Sequence, residues 1–325
     1  MVQKQHKPTS ESVTFSRLAS YLECQRKEWY SYRAGGCGVV LFPPPVPFVE
    51  GQFLHYLLAH FYKGSKMQRA HFVDRIEKTI TANQYATEEA VENVRRKLHI
   101  ALAASTAYSV RYKTDFSQYK VLYVEAPFTT ALGSVTLEGK VDLVLRDKSS
   151  GTIGFFEHKF LSYYDADHWA LLPMSLQRVM YVLGVKALTG QYPSWACWNV
   201  ILKANLRRKV SKTGAKESWE EFDARLVERY KEDSSLLFRT PPVVTNQEDL
   251  ERSVLPWLMN VARKVVEPQE SLPPPNPTAC ISYGRVCPYA EACLAVLHGD
   301  KEGWNHPSCR GKYILKTEQH PELED

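Results

Sequence analysis

The sequence predicts an α/β protein: a mixed sheet with helices packed against it. Three observations carry that expectation. First, the segments 120–130, 134–147 and 151–160 are rich in β-branched and aromatic residues and are separated only by short turns, the pattern of an antiparallel meander. Second, a helical stretch at 168–189 leads to a fourth strand-like run at 194–204, and a helix between strands implies a crossover connection. Third, helical periodicity fills the chain on both sides of these strands.

Taken in order, "TFSRLASYLECQRKEWYSYR" at 14–33 predicts a helix. Thr14 or Ser16 can cap it, and Leu18, Tyr21, Leu22, Trp29 and Tyr32 recur at helical spacing. The Gly- and Pro-rich stretch that follows cannot be helical. Helix resumes at 50–62 and again over 70–112, where Thr87-Glu88-Glu89-Ala90 reads as a start signal. After the strands, helices are expected at 217–237 and 247–266, then a Pro-rich linker. The chain thus divides into a flexible N-terminus (1–13), a helical region (14–112), a core (113–240), a helical and cysteine-bearing region (241–310) and a tail (311–325).

Composition narrows the function classes. The 325 residues are 44% hydrophobic and 24% charged, ordinary for a globular protein. The longest apolar stretches fall short of the ~20 residues a membrane span needs. "MVQKQHKPTSESVTF" has no apolar signal core, so a cytoplasmic protein is expected. A net charge of +5 permits a nucleic-acid partner without demanding one. From Lys203 to Lys216 there are six Lys/Arg and no acid, which reads either as a solvated loop or as a phosphate-contacting one. The seven cysteines are odd in number and few for the length, which points to metal or catalysis rather than a disulfide scaffold.

One strand carries chemistry. "GFFEHKF" at 154–160 places a carboxylate, an imidazole and an ammonium within an apolar run, where unpaired charge is costly. Alternation puts Glu157 and Lys159 on one face and His158 on the other. Asp142 lies in the preceding, otherwise apolar strand, close enough across the turn to meet Glu157. Two touching carboxylates repel. A divalent cation removes the difficulty: carboxylate oxygens suit Mg2+ or Mn2+, and a lysine beside them can serve metal-assisted phosphodiester hydrolysis.

Asp142 followed by Glu157-His158-Lys159 resembles the D…ExK core of the PD-(D/E)XK nuclease superfamily, and three further features resemble its RecB-like branch. Gly51-Gln52-Phe53-Leu54-His55 is similar to the family's G…H motif, whose histidine is a metal ligand. His60 points to a different helix face and is left out. Gln177 and Tyr181 share a helical face and resemble the Q…Y motif, which implies contact with the DNA backbone or ordering of Lys159. Cys24, far from Cys280-x6-Cys287-Pro288-x4-Cys293, resembles the iron–sulfur nucleases of the branch, such as the CRISPR-adaptation nuclease and the nuclease domain of the AddAB helicase–nuclease. In those proteins a [4Fe–4S] cluster staples the two ends of the nuclease domain together.

What the resemblance implies is an expectation. The core would be restriction-endonuclease-like. His55, Asp142 and Glu157 would hold Mg2+ or Mn2+, with the main-chain carbonyl of His158 as a further ligand, and Lys159 would be catalytic. Cys24, Cys280, Cys287 and Cys293 would hold the cluster. The Cys280–Cys287 spacing is wider than the C-x2-C common in the branch, which keeps zinc as an alternative, and Cys309 is a substitute ligand. Glu125 lies where relatives carry an acid on the first strand, and reads equally as a strand-edge glutamate facing water. The implied activity is a DNA nuclease acting on ends or single strands in a phage, repair, recombination or CRISPR setting, alone or as an oligomer. A helicase or recombinase partner would supply any unwinding, since the chain has no P-loop. The other class of reading is an inactive DNA-binding scaffold subunit.

Overall fold

A computed structural model describes residues 12–65, 68–165, 167, 170–269, 271–282, 285–318, 320 and 323. The expected flexible N-terminus lies mostly outside these residues, and its last two described positions form strand β1 (Ser12–Val13).

The first predicted helix is two helices, α1 (Phe15–Glu23) and α2 (Gln25–Tyr32). Thr14 caps α1 by accepting from the Arg17 N–H. The break is at Cys24, whose backbone is extended (φ −161°, ψ 116°). There its sulfur accepts from the N–H of Asn276, while the Asn276 side chain donates to the Glu23 carbonyl. Strand β2 (Val39–Leu41) precedes α3 (Val46–Tyr62), which starts four residues earlier than the apolar pattern suggested, with Pro in its first turn. The 70–112 stretch is α4 (Arg69–Asn83) and α5 (Glu88–Arg111), the latter capped by Thr87.

The meander is β3 (Tyr119–Leu132), β4 (Val135–Asp147) and β5 (Ile153–Leu161), antiparallel throughout. Helix α6 (Leu176–Thr189) is the crossover; it is shorter than 168–189, with a 3-10 turn at Leu172–Met174 before it and 168–169 outside the described residues. It delivers β6 (Trp195–Leu202), which runs parallel to β5 from Gly154↔Trp195 to Leu161↔Leu202. Helix α7 (Trp219–Glu232) ends before β7 (Leu237–Arg239) rather than reaching residue 237; β7 and β8 (Val243–Val244) close the edge of the sheet antiparallel to β6. The helix expected over 247–266 opens with a short turn and a π segment before α8 (Leu255–Val266). The C-terminal region adds the two-residue strands β9 (Ile281–Ser282) and β10 (Arg285–Val286), then α9 (Ala290–Leu297). The expected tail contributes β11 (Tyr313–Leu315), paired with β2. No helix among the described residues is long and apolar enough to cross a membrane.

The sheet is mixed, as the element order implied, and alternation feeds a core on each face. Phe156, Cys197 and Ile201 pack with α3, α4, α5 and α7. Phe155, Trp198 and Val200 pack with α6, α8 and Leu18 of α1. One step breaks the alternation. Val135, Leu137 and Val141 of β4 face the α6 side, whereas Leu143 and Leu145 face α3 and α5. All five are odd-numbered, so the strand changes face at Asp142. Its partner β3 changes face opposite, at Glu125, whose φ of +47° lies in the left-handed region. A non-glycine residue there is strained.

The two ends of the chain are clamped by buried charge. Glu28, with no exposed surface, accepts from Arg17 Nε at 2.8 Å and from Arg33 Nε at 3.0 Å. Arg33 also donates to the carbonyls of Val265 and Glu267, and Arg26 to that of Pro273. A third small core, with Tyr30, Val39, Tyr289 and Ala292, lies over this junction.

Candidate active site

The β4–β5 ladder stops at Leu143↔Phe156. Beyond it the strands part, and the next N–H of β5 that seeks a partner finds a side chain: His158 N–H donates to Asp142 Oδ2 at 2.7 Å. The other Asp142 oxygen lies 3.5 Å from His55 Nδ1, brought in by α3. Glu125, displaced by its left-handed backbone, puts Oε1 3.2 Å from the same nitrogen. One ligand atom from each of His55, Glu125 and Asp142 lies within 4.8 Å of the other two.

The electrostatics match this crowding. Burial alone would push the His55 imidazole down, but the carboxylates of Asp142 and Glu125 outweigh it and hold the ring at about 9. Burial and the neighbouring Glu157 push Asp142 well above the usual carboxylate range. Glu125 is also opposed by burial, yet the hydrogen bond and charge of His55 bring it down. The three groups therefore titrate as one interacting set.

Glu157 and Lys159 face α6, as alternation predicted. Lys159 Nζ donates to Glu157 Oε1 at 2.7 Å and to Gln177 Oε1 at 2.6 Å. Gln177 Nε2 donates to Glu157 Oε1 at 2.8 Å and reaches the Tyr181 hydroxyl at 3.1 Å. Tyr181 is lodged against Phe128 and Phe155. Gln177 therefore links Lys159 and Glu157 to the Tyr181 hydroxyl. His158 takes the opposite face: Asn199 meets its Nδ1 at 3.2 Å, its ring stacks on Tyr62, and burial holds it well below its ordinary value. Asn199 in turn accepts from Arg239, which grips Asp115.

The residues present fit a divalent cation. Two carboxylates and one imidazole converge, a donor set suited to Mg2+ or Mn2+. Glu157 Oε2 is buried and has no hydrogen-bond partner among the described residues, which leaves one more oxygen for an ion. The tightest triad contains Glu125, where the sequence reading had placed Glu157 beside His55 and Asp142. The resemblance pointed to Glu125 as an acid on the first strand, with a solvent-facing glutamate as the other reading; the backbone twist that aims it leaves no mark in the sequence.

Cys24, Cys280, Cys287 and Cys293 are half-buried free thiols. Burial pushes up Cys287, which also feels the charges of Cys24 and Cys280; Cys293 is likewise pushed up by burial and feels Cys287 and Cys24. Arg26 and Lys27 stand alongside. The thiols thus influence one another across the two ends of the chain, but among the described residues the group of ligand atoms lying within 4.8 Å of one another is His55–Glu125–Asp142 and not these sulfurs. Cys309 is fully buried, beside Tyr313.

The basic run at 203–216 is partly spent inside the protein. Lys203 pairs with the buried Glu50. Arg208 stacks on Trp219 at 4.0 Å, donates to the Glu217 carbonyl and pairs with Glu92 at 3.1 Å.

A search of curated proteins finds no match. A family model of the PD-(D/E)XK nuclease superfamily matches residues 12–294, from β1 to within α9, and so spans the sheet, the His55–Glu125–Asp142 triad and all four of those cysteines. The chain belongs to the PD-(D/E)XK nuclease superfamily, a family of metal-dependent nucleases, and has that family's fold.

Proposed function

We propose that the protein is a Mg2+- or Mn2+-dependent deoxyribonuclease, an exonuclease acting on DNA ends or single strands. The observation that carries this reading is the junction of two groups at the parting of β4 and β5: the His55–Glu125–Asp142 triad and the Glu157–Lys159–Gln177 set. When bound, the cation would supply Lewis-acid stabilisation of the phosphate and a nucleophile at neutral pH. His55, Glu125, Asp142 and the open oxygen of Glu157 would hold it, with the His158 carbonyl as a further ligand. Lys159, fixed by Glu157 and Gln177, would orient the attacking water and place a positive charge where the phosphoryl oxygens gain negative charge.

The test is Lys159→Ala, assayed with Mn2+ on single- and double-stranded DNA. The variant is expected to fold and bind DNA but to lose about a hundredfold or more of its cleavage rate. Metal-dependent cutting at the wild-type rate would remove Lys159 from the chemistry.

We propose further that Cys24, Cys280, Cys287 and Cys293 hold a structural [4Fe–4S] cluster that closes a loop of most of the chain. Such a link stabilises by restricting the unfolded state. Anaerobically purified protein should be brown and contain iron; colourless protein with stoichiometric zinc would replace the cluster by a zinc site.

A further inference from the structure

The side chain of His158 has no part in the chemistry above, yet His158 touches both His55 and Asp142. Its N–H donates to Asp142 Oδ2 at 2.7 Å. Its ring meets the His55 ring edge-on, with the centroids 6.1 Å apart. A buried chain of hydrogen bonds fixes that ring. Asp115 accepts from Arg239 Nη1 at 2.9 Å and from the Tyr62 hydroxyl at 2.7 Å. Arg239 Nε donates to Asn199 Oδ1 at 2.6 Å, and Asn199 Nδ2 lies 3.2 Å from His158 Nδ1. Tyr62 stacks on the His158 ring at 5.9 Å. The ring is thus held at its edge and on its face, and both holds trace back to Asp115. Asp115, Asn199 and His158 are each no more than 3% exposed, so water does not substitute for these partners.

The direction of the chain follows from its donors. A guanidinium only donates, so Asn199 Oδ1 accepts and the Asn199 NH2 group faces His158. His158 Nδ1 is then the acceptor, since a hydrogen there would face another hydrogen. The ring hydrogen of the imidazole sits on Nε2. Reversing any one bond would strand a buried donor or acceptor, which is costly. We propose that Asn199 and Arg239 are positioning residues for the candidate metal site: acting through the Nε2–H tautomer of His158, they hold Asp142 and His55 in the geometry that takes the cation. The proposal rests on the nuclease reading above. It gives the imidazole between Glu157 and Lys159 a task of its own, that of transmitting the order of the buried Asp115–Arg239 pair to two ligands on different elements, β4 and α3.

The experiment uses the full chain. Asn199→Leu, His158→Phe and their double variant are compared with Tyr108→Phe, which takes a hydroxyl from Arg239 and Tyr62 but leaves the bonds of Asn199 in place. Mn2+ affinity is followed by the electron paramagnetic resonance of the free ion. Each of the first two variants is expected to bind Mn2+ about 10- to 100-fold more weakly, the usual effect of removing a partner behind a ligand. The double variant should be no worse than either, because both changes break one chain. Tyr108→Phe should bind as the wild type does. On DNA at saturating Mn2+, kcat should fall in Asn199→Leu while KM holds. Unchanged affinity in Asn199→Leu, additive losses in the double variant, or an equal loss in Tyr108→Phe overturns the positioning role while the nuclease reading stands. The expected affinity losses in a protein whose wild type cuts no DNA overturn the nuclease reading and keep the positioning role. Should the variants fail to fold, the metal-free wild-type chain decides: nitrogen-15 spectra of labelled histidine should place the His158 ring hydrogen on Nε2, and a hydrogen on Nδ1 overturns the proposal.

Discussion

Glu125 offers a way to weigh backbone strain against metal binding at a single position. Its φ of +47° is left-handed, a conformation that costs a side-chain-bearing residue roughly 1–2 kcal/mol. Both Glu125→Ala and Glu125→Gly remove the carboxylate that lies 3.2 Å from His55 and 3.7 Å from Lys140. Only glycine also removes the strain, at an entropic cost in the unfolded chain of about 0.5–1 kcal/mol. The glycine variant should therefore exceed the alanine variant by about 0.75 kcal/mol in metal-free urea unfolding, the difference between the midpoints of those two ranges. Metal supplies the second readout. At a hundredfold excess over its dissociation constant, Mn2+ should stabilise the wild-type chain by about 2.7 kcal/mol, and both variants should lose most of that gain. Alanine matching glycine would refute the strain reasoning. An undiminished Mn2+ effect in either variant would remove Glu125 from the ligand set.

Two further outcomes follow from buried charge. Glu28→Ala leaves Arg17 without its buried partner and should cost about 3–5 kcal/mol in denaturant unfolding; wild-type stability would mean that the clamp between the chain ends contributes nothing. The His55 imidazole at about 9 lies above its ordinary value of 6.5, so its contribution to metal-free stability is complete below about 6.5 and is lost as pH rises through about 9. A cation needs the neutral ring, so Mn2+ binding near neutral pH should release a proton, measured as a buffer-dependent binding enthalpy; an enthalpy independent of buffer ionisation would refute this.

The sequence made the architecture legible where local signals are strong. Turns between β-branched runs announced the meander, and the crossover helix announced the parallel strand. Asp142, Glu157 and Lys159 stood out because charge is rare inside apolar strands. The rest depends on non-local geometry. β11 pairs with β2 from the far end of the chain, and nothing local to Tyr313–Leu315 signals it. The break at Cys24 is set by contact with Asn276, which helical periodicity cannot register. The change of face at Asp142 is hidden for a similar reason: Val141 and Leu143 keep the strand's apolar pattern while packing in different cores. Lys203 and Arg208 read as loop cations, although each is committed to a carboxylate within the protein.

The change of face also explains why the candidate site and the fold are inseparable here. Where β5 leaves β4, a backbone N–H is stranded, and an unpaired buried donor is costly. Asp142 Oδ2 takes that donor from His158, which leaves Oδ1 toward His55. One carboxylate thus replaces the missing rung of the ladder and offers its other oxygen to the proposed metal site. The residue it steadies lies between Glu157 and Lys159, so the position of the lysine depends on the same bond. Glu125 reaches the site by another route, a strained φ maintained by the pairing of Val124 with Leu143 and Ala126 with Val141 on either side. Neither acid is a side chain added to a regular sheet: the irregular step in β3 and β4 makes the site, and the surrounding regular pairing holds that step in place.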